Sequence, residues 1–258
     1  TTEEEMRKYL YGSLEDLYEP SLLKDAEKGV QVIKEKIMAG KKIRIISDYD
    51  VDGVSSNYIL YRGLARCGAQ VDYRIPDRVA DGYGINEHLI DQAYEDGVDT
   101  VITCDNGIAA AEQISYGNGL GMTFVVTDHH DVPFVEKDGV RTEQIPEAAA
   151  VINPKQEDCA YPFKNICGAV VVYKFIELLY DAFGIGRREA QEFLEIAAMA
   201  TVCDVMILQD ENRILVKEGL RRMNETKIRG LRALIDANHL EDKKITAYHL
   251  GFILGPCI

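Results

Sequence analysis

The sequence predicts an α/β fold, a parallel sheet with flanking helices, followed by a mainly helical C-terminal segment. Two observations carry this. Between residues 43 and 127 four short apolar or β-branched runs alternate with stretches of helical periodicity, which is the βαβ order of a parallel sheet. Beyond residue 155 only the three- and four-residue spacing of helices remains.

Taken in order, Leu14, Leu17, Leu22, Leu23, Ala26, Val30, Ile33 and Ile37 place a helix over 13–38, broken near Pro20 and stopped by Gly40. The alternation then runs strand 43–47, helix 53–67, strand 70–75, helix 86–95, strand 99–104, helix 108–116 and strand 122–127. Its short links suit right-handed crossovers. A polar loop over 131–147 leads to a short strand at 149–152, closed by Asn153-Pro154. Helices are expected at 168–183, 188–202, 212–224, 229–238 and 246–254. One domain results, with a helical lead-in (1–40), an α/β core (41–155) and a helical part (156–258).

The chain has 258 residues and is 47% hydrophobic, enough for a substantial core. No apolar stretch approaches the roughly 20 residues that span a bilayer, and the first residues are too polar for a signal peptide, so a cytoplasmic location is expected. The six cysteines lack C-x-x-C spacing and read as small hydrophobes. With 29 Lys and Arg against 43 Asp and Glu, the formal charge is −14. Such a charge opposes non-specific nucleic-acid binding, which draws on neutralised phosphates. Either the substrate is small, or cations and a basic region outside this chain hold it.

Three of the strands end in acid. Asp48-x-Asp50-x-Asp52-Gly53 follows the first, Asp105-Asn106-Gly107 the third and Asp128-His129-His130 the fourth. Parallel sheets collect ligands at the carboxyl ends of their strands. Alternate residues of an extended end point the same way, so Asp48 and Asp50 reach a common side. Carboxylates clustered with imidazole suit divalent cations. Asp128 is placed to orient the imidazoles, and Asp52 is either such a supporting group or a helix N-cap. Asp204, the single acid closing the apolar run 197–203, is a fourth candidate or merely a helix end. Two cations sharing a carboxylate would suit phosphoester hydrolysis without a side-chain nucleophile. No P-loop, G-x-G-x-x-G or G-x-S-x-G pattern is present.

The ordered set Ser47-Asp-Tyr-Asp-Val-Asp-Gly53, Ile75-Pro-Asp-Arg78 with Gly82-Tyr-Gly84, Thr103-Cys-Asp-Asn-Gly107, Val126-Thr-Asp-His-His130, Val151-Ile-Asn-Pro154, Ile166-Cys-Gly-Ala169, Ala200-Thr-Val-Cys-Asp204 and Glu211-Asn-Arg213 resembles the DHH phosphoesterase family. Within it, the set resembles the RecJ-like single-stranded DNA exonucleases. The resemblance implies a phosphodiesterase using two Mn²⁺ or Mg²⁺ ions to release nucleotides from a 5′ single-stranded end, in DNA repair and recombination. It gives Asp48 and Asp50 one cation each, makes Asp105 the bridge, and completes the second site with His129 and Asp204. His130, Arg78, Tyr83, Asn106 and Arg213 would contact phosphate or order the site.

Some relatives carry a His where this chain has Ile46, which implies a weaker cation on Asp48. Relatives also continue into a second, nucleic-acid-gripping domain, so the chain reads as a catalytic half lacking it. The implied partners are single-stranded DNA, a single-strand-binding protein and helicases. The alternatives are a DHH hydrolase of small phosphates (an oligoribonuclease or pAp phosphatase, a cyclic dinucleotide phosphodiesterase or a pyrophosphatase) and a non-catalytic binding protein of the same fold.

Overall fold

The computed structural model describes residues 2–79, 82 and 84–258, without the side chains of residues 4 and 5. Helix α1 (Glu3–Tyr11) and two single 3-10 turns (Leu14–Asp16, Pro20–Leu22) lead into α2 (Ala26–Met38). The expected helix over 13–38 is therefore complete only after residue 25. Pro20 starts a 3-10 turn, and Asp25 takes the left-handed conformation (φ 60°) just before α2. The alternating part follows as β1 (Lys42–Ser47), α3 (Val51–Arg66), β2 (Gln70–Arg74), α4 (Glu87–Glu95), β3 (Thr100–Cys104), α5 (Ala111–Gly119) and β4 (Thr123–Thr127).

After β4 the chain forms a hairpin, β5 (Phe134–Lys137) and β6 (Val140–Glu143), before β7 (Ala150–Ile152). The polar loop expected over 131–147 thus contains two strands. Almost every residue of the hairpin is exposed, so no inside–outside alternation marks it. Its one sequence signal is Asp138-Gly139, whose two positive φ values (53° and 75°) are those of a two-residue hairpin turn. The helical part comprises α6 (Gly168–Ala182), a 3-10 stretch (Arg187–Phe193), α7 (Leu194–Cys203), α8 (Asp210–Met223), α9 (Arg229–Ala237) and a final irregular turn over 247–257. No helix among the described residues is long and apolar enough to cross a membrane.

The five-stranded sheet has the order β2-β1-β3-β4-β7 and is parallel throughout. Alternation sorts its side chains. Ile43, Ile45, Ile102 and Val125 face a large core with α2, α3 and α6, while Ile46, Val101, Phe124 and Val126 face a smaller one with α4 and α5. Each such fully buried side chain contributes about 1.5–3 kcal/mol. The order reverses at β1, whose neighbours β2 and β3 lead away on opposite sides. The crevice beyond β1 and β3 is therefore the topological switch point where α/β sheets bind ligands.

In the helical part the Lys174 ammonium, fully buried, lies 3.2 Å from Glu211 Oε2 and donates to the Tyr18 carbonyl at 2.6 Å. Glu211 also accepts from the Tyr161 hydroxyl. The network joins α6, α8 and the lead-in behind the loop that carries Asp204. Glu211→Gln leaves a buried cation unpaired, and is expected to cost about 3 kcal/mol in chemical denaturation. A cost below about 1 kcal/mol would mean that this network does not hold the helical part together.

Candidate metal centre

The ends of the central strands are level. Ser47 pairs with Cys104, Cys104 with Thr127, and Thr127 with Ile152. The ladder runs one residue further: Asp48 N–H donates to Cys104 O (3.3 Å), Asp105 N–H to Thr127 O (3.0 Å) and Asp128 N–H to Ile152 O (3.0 Å). Asp48, Asp105, Asp128 and Asn153 thus form a row just beyond the sheet, and the register alone brings them together.

Local geometry aims each group. Asp50 caps α3 by accepting from Gly53 N–H at 2.9 Å. A side chain at Gly53 would place its Cβ 2.4 Å from the Asp48 carbonyl oxygen, so glycine is required there for close approach. Asp105 has φ 59°, a conformation that Asp tolerates better than most residues. At Gly168 a Cβ would lie 2.8 Å from Asp105 Oδ1. Asp204 closes α7, where Val205 takes φ 55° and Met206 N–H returns to Thr201 O at 3.1 Å, the hydrogen bond of a Schellman stop.

The His129 ring stands among three carboxylates, its Nε2 lying 3.1 Å from Asp105 Oδ1, 3.6 Å from Asp52 Oδ2 and 3.7 Å from Asp204 Oδ2. Around an octahedral cation with bonds of about 2.1 Å, neighbouring ligand atoms stand roughly 3 Å apart, so these separations are those of a ligand shell. Among the described residues three groups offer ligand atoms within 4.8 Å of one another: Asp48, Asp50 and Asp105; Asp105, His129 and His130; and Asp52, His129 and Asp204. Asp105 Oδ1 and His129 Nδ1 are buried with no hydrogen-bond partner. Oxygen donors with imidazole fit hard or borderline divalent cations.

Electrostatics agree with the geometry. Burial, then the charges of Asp52 and Asp50, push the Asp105 carboxyl up to about 12 and the Asp204 carboxyl up to about 7. Burial also raises Asp48, with Asp50 adding to the shift. The His129 ring is held below its usual value by burial, against the pull of Asp52, so it offers a neutral nitrogen. Carboxylates this close strain against one another until a cation joins them.

Asp128 is an organiser. It lies buried and accepts from the backbone N–H groups of Ile108 (2.9 Å), His129 (2.7 Å) and His130 (3.1 Å), and from His130 Nδ1 (2.7 Å). Burial alone would raise its pKa, yet His130 and these amides hold it below the usual range, while its carboxylate raises His130. Asp128→Ala is expected to lower turnover 10–100-fold, the usual cost of losing a group that orients a ligand. A rate within twofold of wild type would remove Asp128 from the site.

Asp52 does more than cap a helix. Its two oxygens accept from Gly168 N–H (2.6 Å) and Ala169 N–H (2.8 Å) at the start of α6, joining the first turn of α3 to the helical part while facing His129. Asp48 and Asp50, each expected to hold a cation, share one group with Asp105. Asn106 is buried beneath, its amide 3.5 Å from the Ile46 carbonyl. Arg78 lies over the Tyr49 ring, 4.5 Å from its centroid, and its charge reaches Asp48.

Arg213 departs from its expected place. Its Nε donates to Tyr9 O at 2.7 Å and its guanidinium covers the Tyr9 ring, so α1 engages it. Its position in the first turn of α8 directs it there. Tyr83 lies outside the described residues. Two further groups were not anticipated. Asn153 donates to the His130 carbonyl at 2.9 Å. Asn212 ties the loop after Asp204 by donating to Asn165 O (2.6 Å) and Ile207 O (3.1 Å). The Asn153-Pro154 turn was visible in the sequence, but its contact across the sheet end was not.

A doubly wound sheet whose level strand ends present carboxylates and imidazoles to one crevice defines a cation-binding α/β domain. Residues 42–201 match the DHH family, N-terminal domain, and the chain belongs to the DHH family. It is 34% identical over 255 residues to the single-stranded-DNA-specific exonuclease RecJ of Bacillus subtilis, covering 99% of this chain and 30% of that protein. It is 32% identical to RecJ of Escherichia coli, covering 91% and 41%. Among solved structures, an exonuclease RecJ bound to manganese superposes with a TM-score of 0.78 at 29% identity, covering 91% of this chain and 56% of that one. RecJ of Thermus thermophilus in complex with Mn²⁺ gives 0.73 at 28% identity, covering 91% and 32%. The chain thus spans 30–41% of the length of the two curated relatives.

Proposed function

We propose that the chain is the catalytic part of a metal-dependent phosphodiesterase that hydrolyses single-stranded DNA from its 5′ end. The observation that carries this is the convergence of Asp48, Asp50, Asp105, His129 and Asp204 into groups of cation-ligand spacing, in a chain similar to a manganese-bound exonuclease. Two Mn²⁺ or Mg²⁺ ions held there would supply Lewis acidity, activating a water and stabilising the leaving oxygen. Asp105 and His129 each belong to two of the groups, and of the two Asp105, whose carboxylate offers two oxygens, would be the ligand shared by both ions. Asp52 and Asp128 keep their neighbours in place. His130, made more basic by Asp128, donates a hydrogen bond to a phosphate oxygen, and Arg78 adds positive charge beside Asp48.

Residues 1–258 are read as one catalytic domain. Its charge of −14 and the greater length of the relatives support a second, basic domain that grips the strand. A cytoplasmic location, and delivery of the strand by a single-strand-binding protein or a helicase, belong to the same reading.

The test is turnover of a 5′-labelled single strand against di- and trinucleotides, with Mn²⁺. Release of label from the long strand is the expected result. Turnover of short substrates alone would transfer the chain to the small-phosphate hydrolases of the family. Failure of both, with no Mn²⁺ bound by titration, would leave a binding role.

A further inference from the structure

One cation beside the cluster is neither a ligand nor part of the assignment above. Lys155 follows the Asn153-Pro154 turn, and its N–H donates to Asn153 Oδ1 at 2.8 Å. Asn153 in turn donates to the His130 carbonyl. Two hydrogen bonds therefore fix the Lys155 backbone to the loop that carries His129 and His130. Its ammonium lies 3.0 Å from Asp131 Oδ1, and the Lys155 side chain is 27% exposed against 94% for Asp131. The charge of Lys155 reaches His129 and Asp204.

Charge balance says what this cation is for. Asp48, Asp50, Asp52, Asp105 and Asp204 carry five negative charges and two divalent cations return four, so the loaded site keeps −5 + 4 = −1. Arg78 offsets that charge beside Asp48, and an incoming phosphodiester adds another negative charge, which a second fixed positive group at the rim would offset in turn. An ion pair to a carboxylate as exposed as Asp131 holds Lys155 only weakly. A phosphate oxygen can take the place of that carboxylate without moving the backbone.

We propose that Lys155 is a substrate-binding residue that exchanges Asp131 for a phosphate of the single strand. The proposal rests on the phosphodiesterase reading of the same site, and two opposite effects test it. Lys155→Gln keeps the stem and removes the charge. It is expected to raise KM for a single-stranded oligonucleotide about tenfold with kcat within about twofold, and not to weaken Mn²⁺ binding, since the charge removed repels the cation. The slope of log affinity against log salt should fall by about 0.7, one phosphate contact on a single strand. Lys155→Arg should restore most of the loss. Asp131→Asn should lower KM two- to threefold, and only while Lys155 is present.

Fluorescence anisotropy of a labelled oligonucleotide reads the same contact without turnover. If the strand binds through Lys155 but is never cleaved, the phosphodiesterase reading fails and the contact stands. If cleavage proceeds while Lys155→Gln changes neither KM, Kd nor salt slope, the proposal is overturned. An Asp131→Asn variant with a raised KM would overturn it as well.

Discussion

Asp105→Asn is expected to lower turnover by about three orders of magnitude and leave the fold intact. The residue stands in two of the three ligand groups, so its loss weakens both cations together. A bound cation supplies several kcal/mol of transition-state charge stabilisation, and each ~1.4 kcal/mol is tenfold in rate. Asparagine is the informative replacement because φ at this position is 59°, where Asn is tolerated and Ala is strained. It also fills the same space beside Gly168, which has none to spare. Without cations the variant should melt at or above the wild-type temperature. It removes a carboxyl that burial, Asp52 and Asp50 make costly to ionise. Oligonucleotide turnover, Mn²⁺ titration and melting of one preparation check all three statements. Wild-type turnover would exclude a bridging role.

The parts of this fold legible in sequence are those whose signal is local. Runs such as 43–47 and 122–127 are buried on both faces, so they are mostly apolar or β-branched, with Arg44 the one charged exception, and glycine or acid marks their ends. That suffices to place Asp48, Asp105 and Asp128 at strand termini. It does not say that the termini are level, because register between β1, β3 and β4 is a property of pairs of strands. Asp52 was ambiguous for the same reason: the amides of Gly168 and Ala169 that it binds lie more than a hundred residues away. Arg213 sits one residue from the buried Asn212, and only the direction of the helix face separates a group that braces the Asp204 loop from one that packs on α1. The hairpin of β5 and β6 buries almost nothing, so periodicity could not reveal it, although its Asp138-Gly139 turn could.

Adding Mn²⁺ is expected to raise the melting temperature by roughly 10 °C at pH 8 and by much less at pH 5. In cation-free protein burial, Asp52 and Asp50 push the Asp204 carboxyl up to about 7 and that of Asp105 up to about 12, against about 4 in the unfolded chain. Between those values the folded state holds protons that the unfolded state has released, so stability falls as pH rises. Below about pH 4 both states are protonated and the penalty is absent. It grows through pH 7 for Asp204 and continues to higher pH for Asp105. Divalent cations replace those protons and reverse the slope. Binding at a thousandfold over Kd adds about 4 kcal/mol, and for a chain of this length each kcal/mol is worth about 2–4 °C. His129 adds little to the proton competition, since burial keeps its ring neutral to lower pH than usual; the carboxylates set the dependence. Melts with Mn²⁺ and with EDTA should therefore diverge progressively from pH 5 to pH 8. Parallel curves would mean that the carboxylate cluster does not bind the cation, and would count against the two-metal reading independently of any substrate.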